Sequence, residues 1–110
     1  MAQEFILDLA TIDTSKVLYG KEQLDEFLPQ TGHMRHCDAI VWHDPEFTRG
    51  IGKKIVRPDE FWVEGHIPGR PLLPGVMMIE AVAQMASFLN TKSGRVQGFL
   101  GFTRCDDVSF

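Results

Sequence analysis

Fourteen consecutive residues constrain this chain more than any others. Between Val76 and Leu89, eleven residues are apolar, and the exceptions are Glu80, Gln84 and Ser87. The pattern predicts a helix from about Gly75 to Asn90, with Gly94 shortly past its end. A helix that is apolar nearly all round is expected to be buried. At about 100° per residue, the three polar side chains fall within about 60° of one another, so one narrow polar line runs down it. That line could simply face water or carry satisfied structural hydrogen bonds. The apolar surround weighs against water. A buried carboxyl is costly unless paired, and burial favours its neutral form. A Glu titrating near neutrality is a good general acid.

The residues before the helix, Glu64 to Gly75 (EGHIPGRPLLPG), contain three prolines and three glycines. They forbid regular structure and predict a stiff, extended loop. His66 opens it, fourteen residues before Glu80. Gly69 and Gly75 would let another group approach the backbone closely. Pro74-Gly75 stands at the helix start, where N–H groups lack intrahelical partners and could hold a developing oxyanion on a thioester carbonyl. A base, an acid and an oxyanion site near one another suit proton abstraction beside a carbonyl, followed by loss of a β-hydroxyl.

Elsewhere the reading is plainer. Residues 15–28 predict a short helix with Val17, Leu24, Phe27 and Leu28 on one face, ended by Pro29. Residues 39–43 and 47–57 predict two strands around Asp44-Pro45-Glu46, with Gly50 and Gly52 marking a bulge or a close contact. Further strands are expected at 61–63, 96–103 and 107–110. The chain has 110 residues, 44% apolar and 24% charged, and reads as one soluble domain. Its net charge of −4 does not advertise nucleic-acid binding. Cys37 and Cys105 fit a reducing cytoplasm better than a disulfide scaffold. The N-terminus, MAQEFILDLA, lacks the basic flank and long apolar run of a signal peptide, and no run approaches the length of a membrane helix. The segment His33 to Asp38 offers metal-ligand residue types, but its spacing matches no zinc pattern and reads as an ordinary polar loop. Gly50-Ile51-Gly52-Lys53-Lys54 lacks P-loop spacing. Lys53, Lys54, Arg57, Arg70, Lys92, Arg95 and Arg104 are mostly solvated surface, with room among them for a patch that meets an acidic protein.

The run Gly65-His66-Ile67-Pro68-Gly69-Arg70-Pro71-Leu72-Leu73-Pro74-Gly75-Val76-Met77-Met78-Ile79-Glu80-Ala81-Val82-Ala83-Gln84 resembles the active-site signature of the 3-hydroxyacyl-[acyl-carrier-protein] dehydratases, G-H-F-P-G-x-P-x-x-P-G-V-x-x-x-E-A-x-A-Q. It is similar to the FabZ type, which has Glu where the isomerising FabA type has Asp. The resemblance implies an α+β hotdog fold, a curved antiparallel sheet wrapped around the central helix, here about 75–90. It implies a single dehydratase domain over 1–110 and a homodimer, or a trimer of such dimers, with active sites at the interface. By the same resemblance His66 is the base and Glu80 the acid. The Gly75 N–H polarises the thioester carbonyl, and Gln84 is an orienting group. Acyl carrier protein brings the substrate on its phosphopantetheine arm, and no metal or resident cofactor is implied.

Three departures stand against the pattern. Ile67 replaces Phe. The family segment L-P-H-R-Y-P-F-L-L-V-D-R aligns with Leu28 to Ala39, where only Leu28, Pro29 and Asp38 match, so the aromatic residue of the tunnel mouth is absent. A hotdog closed with 110 residues would also be short: either the chain is a fragment or the missing edge comes from elsewhere. Dehydration competes with two other readings, a hotdog thioesterase and a non-catalytic acyl-binding or partner subunit. The intact His66-to-Glu80 spacing favours dehydration.

Overall fold

In the computed structural model, which describes residues 6–110, one antiparallel strand pair packs against one long helix. Residues 1–5 of the N-terminal decapeptide lie outside the described residues. Strand β1 (Ala39–His43) pairs with strand β2 (Gly50–Lys53), and the register slips between Ile40 and Trp42, which makes Val41 a bulge. The expected turn joins them, but it takes more chain than Asp44-Pro45-Glu46. The Asp44 carboxylate accepts from the Thr48 and Arg49 N–H groups at 2.7 and 2.8 Å and from the Thr48 hydroxyl. Those bonds hold 44–49 as a closed loop, so β2 starts at Gly50 rather than at Phe47. It stops at Lys53 because the Ile55 N–H turns to the Asp38 carboxylate at 2.6 Å instead of extending the ladder.

The expected helix runs over Gly75–Lys92, with Pro74 before it and Gly94 after it at φ 79°. Glycines in β2 let it come close. A Cβ on Gly50 would lie 3.1 Å from Leu89, and one on Gly52 3.3 Å from the Met85 sulfur. The close contact read from these glycines is therefore real, and the bulge sits on the facing strand. Phe88 is fully buried at the centre, with Tyr19 at 4.8 Å and Phe27 edge-on at 5.5 Å between ring centroids. Leu24, Leu28, Cys37, Ile40 and Leu89 complete this core.

Several expectations are corrected. The first helix, α1, covers only Lys21–Asp25. Tyr19 bridges to Ile40, and the Leu18 and Tyr19 N–H groups donate to the Ile40 carbonyl, which ties 18–19 to β1 and keeps them out of the helix. Leu24 and Leu28 are buried and Phe27 packs on them, but Val17 is exposed. Residues 61–63 turn rather than extend: the Val63 N–H reaches the Glu60 carbonyl, and the Gly65 and His66 N–H groups both reach that of Trp62. Residues 96–103 and 107–110 form no strand. No strand lies beside them among the described residues, and an extended segment without a neighbour has no ladder to join. Nor is the long helix buried all round. The strand pair covers the face of Phe88 and Leu89, while Val76 and Val82 remain exposed.

Candidate active site

The polar line down the long helix, now α2 (Gly75–Lys92), is where the sequence placed it, and it is occupied. Gln84 is 1% exposed. Its Oε1 accepts the N–H groups of His36 and Cys37 at 2.8 and 3.1 Å. Its Nε2 donates to the Met34 carbonyl at 2.7 Å and to Glu80 Oε1 at 2.9 Å. One amide thus ties the irregular 34–37 segment to the helix and fixes the half-buried Glu80 carboxyl by one of its oxygens. With Oε1 accepting from Gln84, a proton on this carboxyl belongs on Oε2, the oxygen left to meet another molecule.

Glu80, Gln84 and Ser87 all line a cavity of about 690 Å³ between α2 and residues 100–110. Its other walls are largely apolar, among them Ile79, Ala83, Phe102 and Phe110. A carboxyl fixed by an amide at the wall of an apolar cavity has the placement of a proton donor to a bound apolar molecule.

His66 lies elsewhere in the single chain: it is exposed and is not among the residues lining this cavity. Its ring is nevertheless oriented. Nδ1 lies 3.0 Å from the Leu72 carbonyl, which can only accept, so Nδ1 carries the hydrogen and the neutral ring presents its lone pair on Nε2. The loop around it is a closed turn, with the Arg70 N–H on the Ile67 carbonyl at 2.8 Å, Pro68 second and Gly69 third at φ 80°. That is a type II turn, and it requires Gly69 for its backbone conformation. A Cβ there would meet nothing within 4 Å, so close approach is not what fixes this glycine. At Gly75 the opposite holds: a Cβ would fall 2.6 Å from the Phe110 ring, which packs against the start of α2.

The structure therefore joins Glu80 with Gln84 and leaves His66, Gly69 and Gly75 outside their cavity. It also brings forward a residue that the sequence reading weighed only within a set of metal-ligand residue types. His36 is 1% exposed, and neither ring nitrogen has a hydrogen-bond partner among the described residues. Burial, and next the Lys54 charge, push its pKa below 6.5. The available signal was its alignment with a Leu of the family segment. The rest of the His33-to-Asp38 set does not converge: His33 is exposed, and Asp38 pairs with Arg57 at 3.3 Å. The basic residues are mostly engaged as well. Lys54 pairs with Glu60 at 2.8 Å in a largely buried contact, Arg104 with Asp106, and Arg95 donates to the Glu46 and Phe47 carbonyls. Arg70 remains exposed at the His66 loop.

Comparison with known proteins matches residues 28–109 to the FabA-like domain. The chain belongs to the FabA-like domain family. A FabZ 3-hydroxyacyl-[acyl-carrier-protein] dehydratase from Alkaliphilus metalliredigens (strain QYMF) is 41% identical over 61 residues, 52% of this chain and 42% of that protein. The chain thus aligns with under half the length of that curated relative. As a FabA-like domain it is an α+β hotdog, with α2 as the central helix and β1 and β2 as the strand pair seen here. No helix among the described residues is long and apolar enough to cross a membrane.

Proposed function

We propose that the protein is a cytoplasmic enzyme that dehydrates 3-hydroxyacyl-[acyl-carrier-protein] to the trans-2-enoyl product in fatty-acid synthesis. The observation that carries this reading is Glu80, held by Gln84 through one oxygen at the wall of an apolar cavity. The FabZ relative supports it at the level of the family. In the proposed reaction, His66 Nε2 takes a proton from the carbon next to the thioester carbonyl. The first N–H groups of α2, beginning at Gly75, stabilise charge developing on that carbonyl. The electron pair forms the carbon–carbon double bond as the C–O bond at the β-carbon breaks, and the departing hydroxyl takes the proton of Glu80 Oε2 and leaves as water. Neither His66 nor Glu80 needs a metal or resident cofactor for these transfers.

His66 lies outside the cavity that Glu80 lines in the single chain, which supports a site shared between two subunits of a homodimer. Arg70, exposed on the His66 loop, is suitably placed to meet an acidic carrier protein. The deciding experiment offers the protein both a 3-hydroxyacyl and a plain acyl thioester. Dehydration yields the enoyl absorbance without free thiol. Free thiol from either substrate identifies a thioesterase, and binding without turnover an acyl-binding subunit. His66→Ala and Glu80→Gln should each lower turnover by about two to four orders of magnitude while remaining folded. Near-normal turnover of Glu80→Gln removes the proposed acid.

A further inference from the structure

His36 sits between the His66 loop and the Glu80 helix, the two parts that each chain contributes to the pair of shared sites. On one side its own N–H donates to Gln84 Oε1, the amide whose nitrogen holds Glu80. On the other its ring packs against Trp62, 5.9 Å between centroids and tilted by 38°. Trp62 is 5% exposed, and its carbonyl accepts the backbone N–H of His66 at 2.7 Å. A continuous line therefore runs from the base-bearing loop to the acid-bearing helix: His66, Trp62, His36, Gln84, Glu80. Phe61 packs on the same ring at 6.0 Å, and Lys54 lies over Trp62 at 5.3 Å while pairing with Glu60.

The choice of residue at this point is informative. A Leu, as in the family pattern, would fill the place with no polar atom to satisfy. Histidine instead buries two nitrogens without a partner among the described residues, and the Trp62 indole nitrogen beside it is also unpartnered. Replacing such an unpartnered buried group by an apolar one of similar shape can be nearly neutral or stabilising, so fold stability does not account for it.

We propose that His36 is a positioning residue, whose buried imidazole holds the His66 loop in register with the Glu80 helix. This rests on the dehydratase reading above. In a two-fold dimer the same register is transmitted to both shared sites. The charged groups whose fields reach the ring are Lys54 beyond β2, Glu60 in the turn before the loop, Glu80 on α2, and Asp38 on its own segment. Burial and Lys54 oppose a proton on His36, and the three carboxylates favour one. A proton taken up there would place a charge against Lys54 and loosen the packing on Trp62.

The test is the pH dependence of kcat and KM for the full-length protein, with His36→Leu and His36→Gln beside it. In the parent, kcat should fall on the acid side with one proton more than in either variant, the additional one being at His36. His36→Leu should keep KM and the thermal midpoint, lose about tenfold to a hundredfold in kcat, and show an acid limb shallower by one proton. His36→Gln, polar but uncharged, should recover part of kcat with the same shallower limb. A parental kcat with an unchanged limb overturns the proposal. So does a loss of kcat that tracks a lowered thermal midpoint while the limb is unchanged, because that is a merely structural role. If neither variant folds, NMR titration of the parent's histidines decides. The His36 ring, assigned through its contact with the Trp62 indole, titrating together with kcat supports the proposal, and a His36 ring that takes up no proton over the acid fall of kcat overturns it. A parent that binds the substrate but forms no enoyl product overturns the dehydratase reading itself, which separates the two failures.

Discussion

Replacing Gln84 by Met tests whether one amide organises this site. Met has a similar length and volume, so the change leaves little cavity and removes four hydrogen bonds. Their partners differ in what they can do next. Met34 is 47% exposed and Glu80 half-buried, so both can turn to water. His36 and Cys37 are 1% and 2% exposed, so their N–H groups have no such recourse. A buried donor left without a partner costs about 1–3 kcal/mol, which gives about 2–6 kcal/mol for two. A small domain has about 5–15 kcal/mol in all, so the loss should be large. Urea unfolding should show the midpoint falling with an unchanged slope. A loss under about 1 kcal/mol would mean that the 34–37 segment finds other partners, and that Gln84 is not what organises it.

Subunit exchange between His66→Ala and Glu80→Gln should restore about a quarter of all sites, because random mixing makes half the dimers mixed and one site in each of those intact. No recovery in confirmed mixed dimers rules out the shared site. An alkylating reagent should modify exposed Cys105 and spare Cys37, whose thiol burial pushes up to about 11; mass spectrometry reads both sites. Since Cys105 lines the cavity, a bound acyl analogue should slow its labelling. Asp44 has its pKa lowered to about 2, chiefly by the Thr48 hydroxyl and also by the Arg49 and Thr48 N–H groups. Its stabilisation is therefore complete above its ordinary value of 3.8 and is lost as pH falls towards 2, so Asp44→Asn should flatten the thermal midpoint in that window.

What could be read from the sequence depended on how local its cause was. Strand β1 matches residue for residue, and α2 starts where Pro74-Gly75 places it, because composition, proline and glycine act over a few positions. The polar line on α2 was legible because helical periodicity fixes which side chains share a face. The rest required knowledge of neighbours. Phe99 and Phe102 have strand-forming character, but a strand exists only beside another, and they are 92% and 61% exposed here. The first helix was overestimated because Tyr19 pairs with Ile40, a contact twenty-one residues away. His36 was hidden for the same reason: nothing within its own segment announces Trp62 on one face and Gln84 at its amide.

The chemistry at position 84 explains why an amide stands there and leads to a sharper test. The site asks one side chain to accept from two N–H groups and to donate to a carbonyl and a carboxyl. A carboxylate only accepts, an ammonium only donates, and a hydroxyl has a single hydrogen; an amide meets all four demands. Gln84→Glu keeps the shape and both accepted bonds but removes the donor. The new oxygen would then face the Met34 carbonyl and Glu80 Oε1 at the present 2.7 and 2.9 Å. Two carboxyls that close cannot both ionise, so the pair retains one proton well above the ordinary Glu value of about 4.3. The sign of the stability effect follows. A group whose folded pKa is raised stabilises fully below its unfolded value, and that contribution is lost as pH rises through the folded one. The variant should therefore lie nearest the parent at about pH 4 and fall progressively behind it towards pH 7, as urea midpoints measured at several pH values would show. A deficit of constant size across that range would mean that the two side chains do not meet, and with it Gln84 would lose its part in holding Glu80.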